Sequence, residues 1–258
     1  MKCMIYQVYL GSESKLYNFC TESVKKYCQK YNIDYIVQKE PILKIQPDVK
    51  VMNRSMQSFQ RLGYLPIYEK ENAFSYLDQY DAIAIIDADI YIRDTAPNIF
   101  EELGDYTFAG VVEREMPITP KYAAKIKSYS QGQYSSLKDV DWKWNDKGGE
   151  FMNMGMMLFS KKLKDYLHGN TPHEFITRSE FKRFVDGLGN WKWSTDQTLL
   201  NYWIKKEKMK VKNLSWNWNA LYTAIDDAKI KNAHFIHFFL KDHLPDKGEN
   251  ITMLMDKL

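Results

Sequence analysis

Cysteine is scarce in this chain of 258 residues: Cys3, Cys20 and Cys28 are an odd set with no Cys-x-x-Cys pair. Cys20 and Cys28 lie on one helical pattern, too far apart along it to bridge each other. This argues against a disulfide framework or a zinc knuckle and for a reducing compartment, so the expected location is cytoplasmic. Long apolar runs are missing as well, and none approaches the ~20 residues that a membrane span needs. No signal-peptide pattern opens the sequence, because Met1-Lys2-Cys3-Met4-Ile5-Tyr6-Gln7-Val8-Tyr9 leads straight into a strand pattern. The expectation is a protein with no anchor of its own. An excess of one charge is nearly absent too, with a formal net charge of +3. That weak bias gives no footing for nucleic-acid binding. It fits a small anionic ligand or a peripheral membrane contact without demanding either. The densest basic run, Lys205-Lys206-Glu207-Lys208-Met209-Lys210-Val211-Lys212, reads as a solvated helix end or as a contact to acidic lipid or acceptor. Repeats and low-complexity linkers are also absent.

What is present is a hydrophobic fraction of 45%, enough to build a core in one α/β domain. Residues 3 to 9 read as a strand. From Ser14 to Tyr31, Leu16, Phe19, Cys20, Val24, Tyr27, Cys28 and Tyr31 recur at helical spacing, with Asn32 as the stop. Ile33 to Val37 reads as a second strand, and this β-α-β opening predicts a parallel sheet. A helical region from about Asn53 to Leu77, broken near Gly63 and Pro66, precedes the buried strand Ala82 to Ile86. Tyr106 to Val112 and Phe151 to Ser160 read as further strands, and residues 113 to 150 between them as polar and irregular. Helices are expected at Pro172 to Val185 and Thr195 to Lys206, and short strands at Lys210 to Asn213 and Ala233 to Phe238. The domain is expected over 1–245, with a donor half to about 112 and an acceptor half from about 113. Residues 246–258 are expected to form a peripheral tail.

The strand Ala82 to Ile86 ends directly on Asp87-Ala88-Asp89, and ligands of open α/β sheets bind at the carboxyl ends of strands. An Asp-x-Asp tripeptide alone is weak, and either residue could simply cap a turn. Its position is more telling. Two carboxylates beside a buried strand are costly unless a cation neutralises them. Mg²⁺ and Mn²⁺ bind through such carboxylates together with substrate phosphates.

With three further segments in order, the sequence resembles the GT-A superfamily of nucleotide-sugar glycosyltransferases. It is most similar to the retaining family 8 group, which includes glycogenin and bacterial lipooligosaccharide galactosyltransferases. The resemblance implies a GT-A (Rossmann-like) α/β fold, a mostly parallel central sheet flanked by helices in a single domain. Tyr80 to Asp89 is similar to the family's aspartate strand, which implies that Asp87 and Asp89 hold a metal ion and the donor diphosphate, with Ala88 between them. Val8 and Tyr9, at the end of the first strand, fall in the same donor-binding set. Arg61 is expected as the helix cation that contacts the nucleotide-sugar. Phe151-Met152-Asn153-Met154-Gly155-Met156-Met157 resembles the family strand in which Asn153 would contact the donor sugar and Gly155 would admit it. Trp193-Ser194-Thr195-Asp196-Gln197-Thr198-Leu199-Leu200-Asn201 resembles the segment that would bring Asp196 and Gln197 to the reacting sugar. Ala233-His234-Phe235-Ile236-His237 resembles the closing segment, where His237 would be a third metal ligand and Lys241 a phosphate contact. His234, three residues away, would point to the other face of a strand.

The implied activity is that of a hexosyltransferase. It would move a sugar from a nucleoside diphosphate sugar, a UDP-sugar by resemblance, to an acceptor hydroxyl on a glycan or glycoconjugate, with retention and with Mn²⁺ or Mg²⁺. Trp142, Trp144, Trp191 and Trp193 are the aromatic candidates for the acceptor, with core packing as the other reading. An inverting GT-A enzyme would need a carboxylate near the acceptor, for which Asp141, Asp146 and Glu150 are candidates. A nucleotidyltransferase and a non-catalytic carbohydrate-binding protein are the readings from other classes.

Overall fold

The computed structural model describes residues 1–48, 56–256 and 258. The apolar run Cys3–Val8 is β1, and helix α1, Lys15–Tyr31, follows it. Ser14 caps α1 by accepting from Tyr17 N–H, and Asn32 ends it in the left-handed conformation that a short polar residue tolerates. Leu16, Cys20, Val24, Tyr27 and Cys28 form its buried stripe. The remaining strands are β2 (Asp34–Gln38), β3 (Ala82–Ile86), β4 (Ile90–Ile92), β5 (Phe108–Val112), β6 (Met152–Ser160), β7 (Val211–Asn213), β8 (Ala220–Leu221) and β9 (Phe235–His237). The remaining α-helices are α2 (Met56–Leu62), α3 (Pro120–Tyr134), α4 (Leu163–Leu167), α5 (Pro172–Ile176), α6 (Lys182–Asp186), α7 (Asp196–Lys206), α8 (Asp227–Ile230) and α9 (Ile251–Met255). A 3₁₀ helix spans Pro66–Tyr76.

The main sheet has six strands in the order β2-β1-β3-β6-β5-β7, and only β6 runs antiparallel to its neighbours. This is the expected mostly parallel α/β sheet flanked by helices. A smaller sheet, β4-β9-β8, stands beside it. Successive residues of the central strands face opposite sides, so one sheet feeds two cores. Met4, Tyr6, Ile83, Ile85, Met157 and Phe159 belong to one, and Ile5, Ala82, Ala84, Ile86, Met156 and Leu158 to the other.

Two expectations need amending. Residues 113–150 are not wholly irregular, because α3 runs through them, capped by Thr119 with Pro120 in its first turn. The helix expected from Pro172 to Val185 is two short ones, α5 and α6. The start expected near Asn53 lies outside the described residues. Residues after 245 pack on the domain at its periphery: Leu254 of α9 is fully buried, and the Glu249 carboxylate accepts from Ser14 Oγ at 2.7 Å and Lys15 N–H at 2.8 Å at the head of α1.

Candidate active site

Asp87-Ala88-Asp89 is the turn by which the chain leaves the large sheet at Ile86 and enters the small one at Ile90. Asp87 N–H donates to Gly155 O at 2.8 Å, Ile90 N–H to Asp87 O at 3.1 Å, and the Gln7 amide to Asp87 O at 3.1 Å. Pairing of β4 with β9 sets Ile90 opposite His237, which brings the imidazole alongside Asp89. His237 Nε2 lies 3.2 Å from Asp89 Oδ1 and 3.8 Å from Asp87 Oδ2. One ligand atom from each of the three residues lies within 4.8 Å of the others.

His237 is 5% exposed, so its orientation is set by protein contacts. Nδ1 stands 3.2 Å from Asn219 Oδ1. A proton donated there leaves the Nε2 lone pair pointing at the carboxylates, the tautomer a metal ligand requires. Two carboxylate oxygens and one imidazole nitrogen form a donor set that could hold a divalent cation. Without a cation, burial works against the charged imidazole, yet Asp89 and Asp87 beside it outweigh burial and raise its pKa above the ordinary value. Burial pushes the Asp87 carboxyl up, against the pull of Lys70 and His237. His234 packs on Trp218 instead, away from the three.

Gly155 has a reason for being glycine within the protein itself. A Cβ there would stand 2.2 Å from His237 Cε1 and 2.5 Å from Nδ1, so the glycine first of all seats the imidazole. Asn153 is likewise committed within the protein. Its Oδ1 accepts from Gly155 N–H at 3.0 Å and from Asn219 Nδ2 at 2.9 Å, and its Nδ2 donates to Glu113 Oε2 at 3.4 Å.

The buried cation beside Asp87 is Lys70. Arg61 is exposed on α2. Lys70 Nζ lies 2.9 Å from Asp87 Oδ1, 2.8 Å from Asp196 Oδ2 and 2.8 Å from Met154 O. Burial alone would depress this ammonium, but Asp196 and Asp87 overcome it and hold it charged. Asp196 is the first residue of α7, capped by Thr195, and Gln197 Oε1 accepts from Met154 N–H at 3.3 Å. Lys70 thus ties the Asp87 turn to the head of α7.

Val8 closes β1, and the Tyr9 hydroxyl accepts from Ser14 N–H at 2.8 Å. Lys241 Nζ rests 3.4 Å above the centre of the Tyr17 ring, where burial lowers its pKa against the partial compensation of Asp89. A cavity of about 280 Å³ lies on the side of Asn153 and Gln197, lined also by Glu113, Tyr122, Lys125, Tyr129 and Phe239. None of the four candidate tryptophans lines it. Trp142 is 1% exposed and stacked on Tyr134 at 4.1 Å, so it is core and offers no face to an acceptor. The expected Trp-x-Trp face does not form, because Lys143 between the rings takes φ 43° and Trp144 turns outward. Trp191 packs edge-on against Phe184 and donates to Gln133 O at 2.9 Å, while Trp193 is exposed. Of the candidate carboxylates, Glu150 is held by Lys205 at 2.9 Å, Lys143 at 3.0 Å and Arg114 at 3.6 Å, and Asp141 and Asp146 are exposed. The carboxylate in the cavity is Glu113. Burial raises its pKa although the Tyr122 hydroxyl and the Asn153 amide donate to it.

Lys70, Glu113 and Asn219 were not legible as site residues. Lys70 sits in the charged triplet Glu69-Lys70-Glu71, which reads as a solvated face, and Asn219 gains its role only through the pairing of β8 with β9.

No family model and no curated protein matches the sequence. Solved structures match across nearly the whole chain. The galactosyltransferase LgtC, solved with donor and acceptor sugar analogues, aligns at TM-score 0.58 and 13% identity, covering 98% of this chain and 94% of that one. A glycosyltransferase involved in glycosylation of the major capsid of PBCV-1 aligns at TM-score 0.50 and 12% identity, covering 98% and 100%. Mouse xyloside xylosyltransferase 1 aligns at TM-score 0.50 and 12% identity, covering 95% and 100%. The fold is therefore that of the GT-A glycosyltransferases. Among the described residues, no helix is long and apolar enough to cross a membrane.

Proposed function

We propose that this chain is a metal-dependent glycosyltransferase that moves a sugar from a nucleoside diphosphate sugar to an acceptor hydroxyl on a glycan or glycoconjugate. The observation that carries the proposal is the convergence of Asp87, Asp89 and His237 at the carboxyl end of β3. The GT-A fold supports the proposal but would not carry it without the site. Asp87, Asp89 and His237 would hold Mn²⁺ or Mg²⁺, which supplies neutralisation of the charge developing on the leaving diphosphate. Lys241, half-buried near Asp89, would add a second positive charge on the phosphate side. Val8, Tyr9 and Ala88 would border the nucleotide. Gln197 spends its carbonyl on Met154 and keeps its amide hydrogens for sugar hydroxyls. Asp196, through Lys70, would keep the head of α7 registered on Asp87 and set negative charge near an oxocarbenium-like sugar. With retention, the bond from the anomeric carbon to the leaving phosphate breaks on the face where the acceptor oxygen bonds, and that phosphate takes the acceptor proton. The odd cysteine count is what argues for the cytoplasm as the compartment.

Glu113 favours a second reading. It is the carboxylate of the cavity beside Asn153 and Gln197, the position an inverting enzyme needs for its base. Proton NMR of the first-formed anomer separates the two.

The test of the function is release of nucleoside diphosphate from a panel of nucleotide-sugars, with and without Mn²⁺, beside a thermal-shift screen of the same mixtures. Release should require metal, and stabilisation should require metal and nucleotide-sugar together. Asp89→Ala should remove both. Pyrophosphate release from nucleoside triphosphates would point to a nucleotidyltransferase, and binding of glycans with no turnover of any donor to a carbohydrate-binding protein.

A further inference from the structure

The stretch from Met116 to Lys138 holds Lys121, Lys125, Lys127 and Lys138 and no acidic residue, in a chain whose two charge signs otherwise nearly balance. Most of this stretch is α3, and the helix gives no reason for the charges. Lys121 lies in its first turn and Lys125 one turn on, at the positive end of the helix dipole, where cations are disfavoured. Lysines four apart on one face also repel each other. Elsewhere some exposed lysines do find carboxylates: Lys161 pairs with Asp81, Lys164 with Asp78, Lys206 with Asp139 and Lys210 with Asp105. The four lysines of this stretch enter no ion pair among the described residues.

Lys125 connects this excess charge to the site. It lines the cavity with Glu113, Tyr122, Asn153 and Gln197, its ammonium 5.8 Å from the centre of the Tyr122 ring. Glu113 is the one acidic residue in that lining. It is buried, with its pKa raised, and is satisfied by Tyr122 and Asn153, so it is a poor partner for the ammonium. Lys125 acts on Glu113 through space, opposing the burial that raises its pKa, but the two form no ion pair, so the ammonium at the cavity mouth has no direct anionic contact among the described residues.

We infer that the acceptor is an anionic sugar, carrying a phosphate or carboxylate that Lys125 holds at the cavity mouth with Lys121 behind it. The inference rests on reading the cavity as the acceptor side of a glycosyltransferase. Phosphate on a hexose and the diphosphate of a lipid-linked hexose share the chemistry that Lys125 would recognise, a doubly bonded or ionised oxygen accepting from an ammonium.

The experiment uses the full chain with Mn²⁺ and a donor that it hydrolyses slowly without acceptor. Three probes, a hexose 6-phosphate, a hexuronate and a farnesyl diphosphate-linked hexose, are each compared with the neutral methyl glycoside for their acceleration of nucleoside diphosphate release. At least one anionic probe should reach half-effect at a concentration lower than its neutral parent by on the order of tenfold. Raising the salt should shrink that ratio, and Lys125→Ala should bring it close to one. A preference confined to the farnesyl probe assigns the anion to a lipid diphosphate, and one shared by the soluble probes assigns it to the glycan itself. Equal use of charged and neutral partners overturns the inference, as does a ratio untouched in the Lys121→Ala/Lys125→Ala double variant. A rise in the half-saturating donor concentration in Lys125→Ala, with the ratio kept, would assign the lysine to the donor diphosphate and also overturn it. No release from any donor with or without acceptor, together with no rise in Tm from metal and nucleotide-sugar, fails the transferase reading itself, and the inference falls with it.

Discussion

At the scale of single residues, the site is built on contacts that permit little substitution. Gly155→Ala places a methyl group on the His237 ring, so either the ring or the β6 backbone must move. Overpacking of this kind costs about 1–3 kcal/mol, which for a chain of this length lowers Tm by about 2–4 °C per kcal/mol. Calorimetry should show that fall together with loss of the Tm rise that Mn²⁺ and nucleotide-sugar give the parent. An unchanged metal response would mean that the ring can shift without loss of binding and that His237 is no ligand. Glu71 makes a different prediction. It is fully buried, neither carboxylate oxygen has a hydrogen-bond partner among the described residues, and burial, with Asp196 nearby, raises its pKa well above the ordinary 4.5. The folded state thus keeps a proton that the unfolded chain releases. Its contribution to stability is complete below the ordinary carboxyl value and is lost as the pH climbs toward the raised one. Glu71→Gln cannot titrate, so its stability relative to the parent should improve from pH 5 to pH 8 in urea unfolding. A difference that does not change with pH would show that Glu71 is ionised in the fold. Lys70 and Glu71 also mark where residue-level reading stopped. Glu69, Lys70 and Glu71 are all buried, and Glu69 accepts from Ile42 N–H at 2.7 Å, Leu43 N–H at 3.0 Å and the Gln38 amide at 2.8 Å. Charged residues that fold around one another look, in sequence, like residues facing water.

At the scale of elements, periodicity carried the reading where one face of an element is apolar. Helix α1 and strands β1, β3 and β6 were legible for that reason, and Asp87 and Asp89 stood out because they directly follow β3, whereas His237 was named only through the family resemblance. Helix α3 was not legible. Its buried face is Ile126, Ser130, Gln133 and Tyr134, too polar to register as a stripe. The junction of α7 with β6 positions the head of α7, and Asn201 joins Gln197 and Lys70 in holding it. Asn201 Oδ1 accepts from Met152 N–H at 2.7 Å, and its Nδ2 donates to Met152 O and Gln197 O, both at 2.8 Å. Asn201→Ala leaves the buried Met152 amide and carbonyl unpaired, at a cost of about 2–3 kcal/mol. Urea unfolding should show that loss, and hydrogen exchange at Met152 N–H should quicken. A change within about 0.5 kcal/mol, the scatter of neutral surface substitutions, would mean that hydrophobic packing alone seats α7.

At the scale of the whole molecule, the boundary near residue 112 that the sequence suggests does not separate two bodies. β6 lies beyond it in sequence, yet it pairs with β3 on one side and β5 on the other, in the middle of the large sheet. Sequence order cannot reveal such an insertion, because register between distant strands is set only when the sheet assembles. Residues before and after 112 therefore contribute to both cores. Trp142 and Trp203 are buried on one face of the sheet, and Cys20 and Cys28 under α1 on the other. If the two faces stand or fall together, equilibrium unfolding in urea should give one midpoint for both. Fluorescence of a Trp218→Phe variant reports mainly on the first face, and pulsed thiol labelling at Cys20 and Cys28 on the second. Coincident curves are expected from strands whose alternate residues feed both cores, since neither core can be exposed without breaking the sheet that forms the other. Labelling that runs ahead of the fluorescence change would mean that α1 and the small sheet open first. The Asp87-Ala88-Asp89 turn, which joins the small sheet to the large one, would then be the hinge of that opening, and metal with nucleotide-sugar should draw the two curves back together by binding only the closed form.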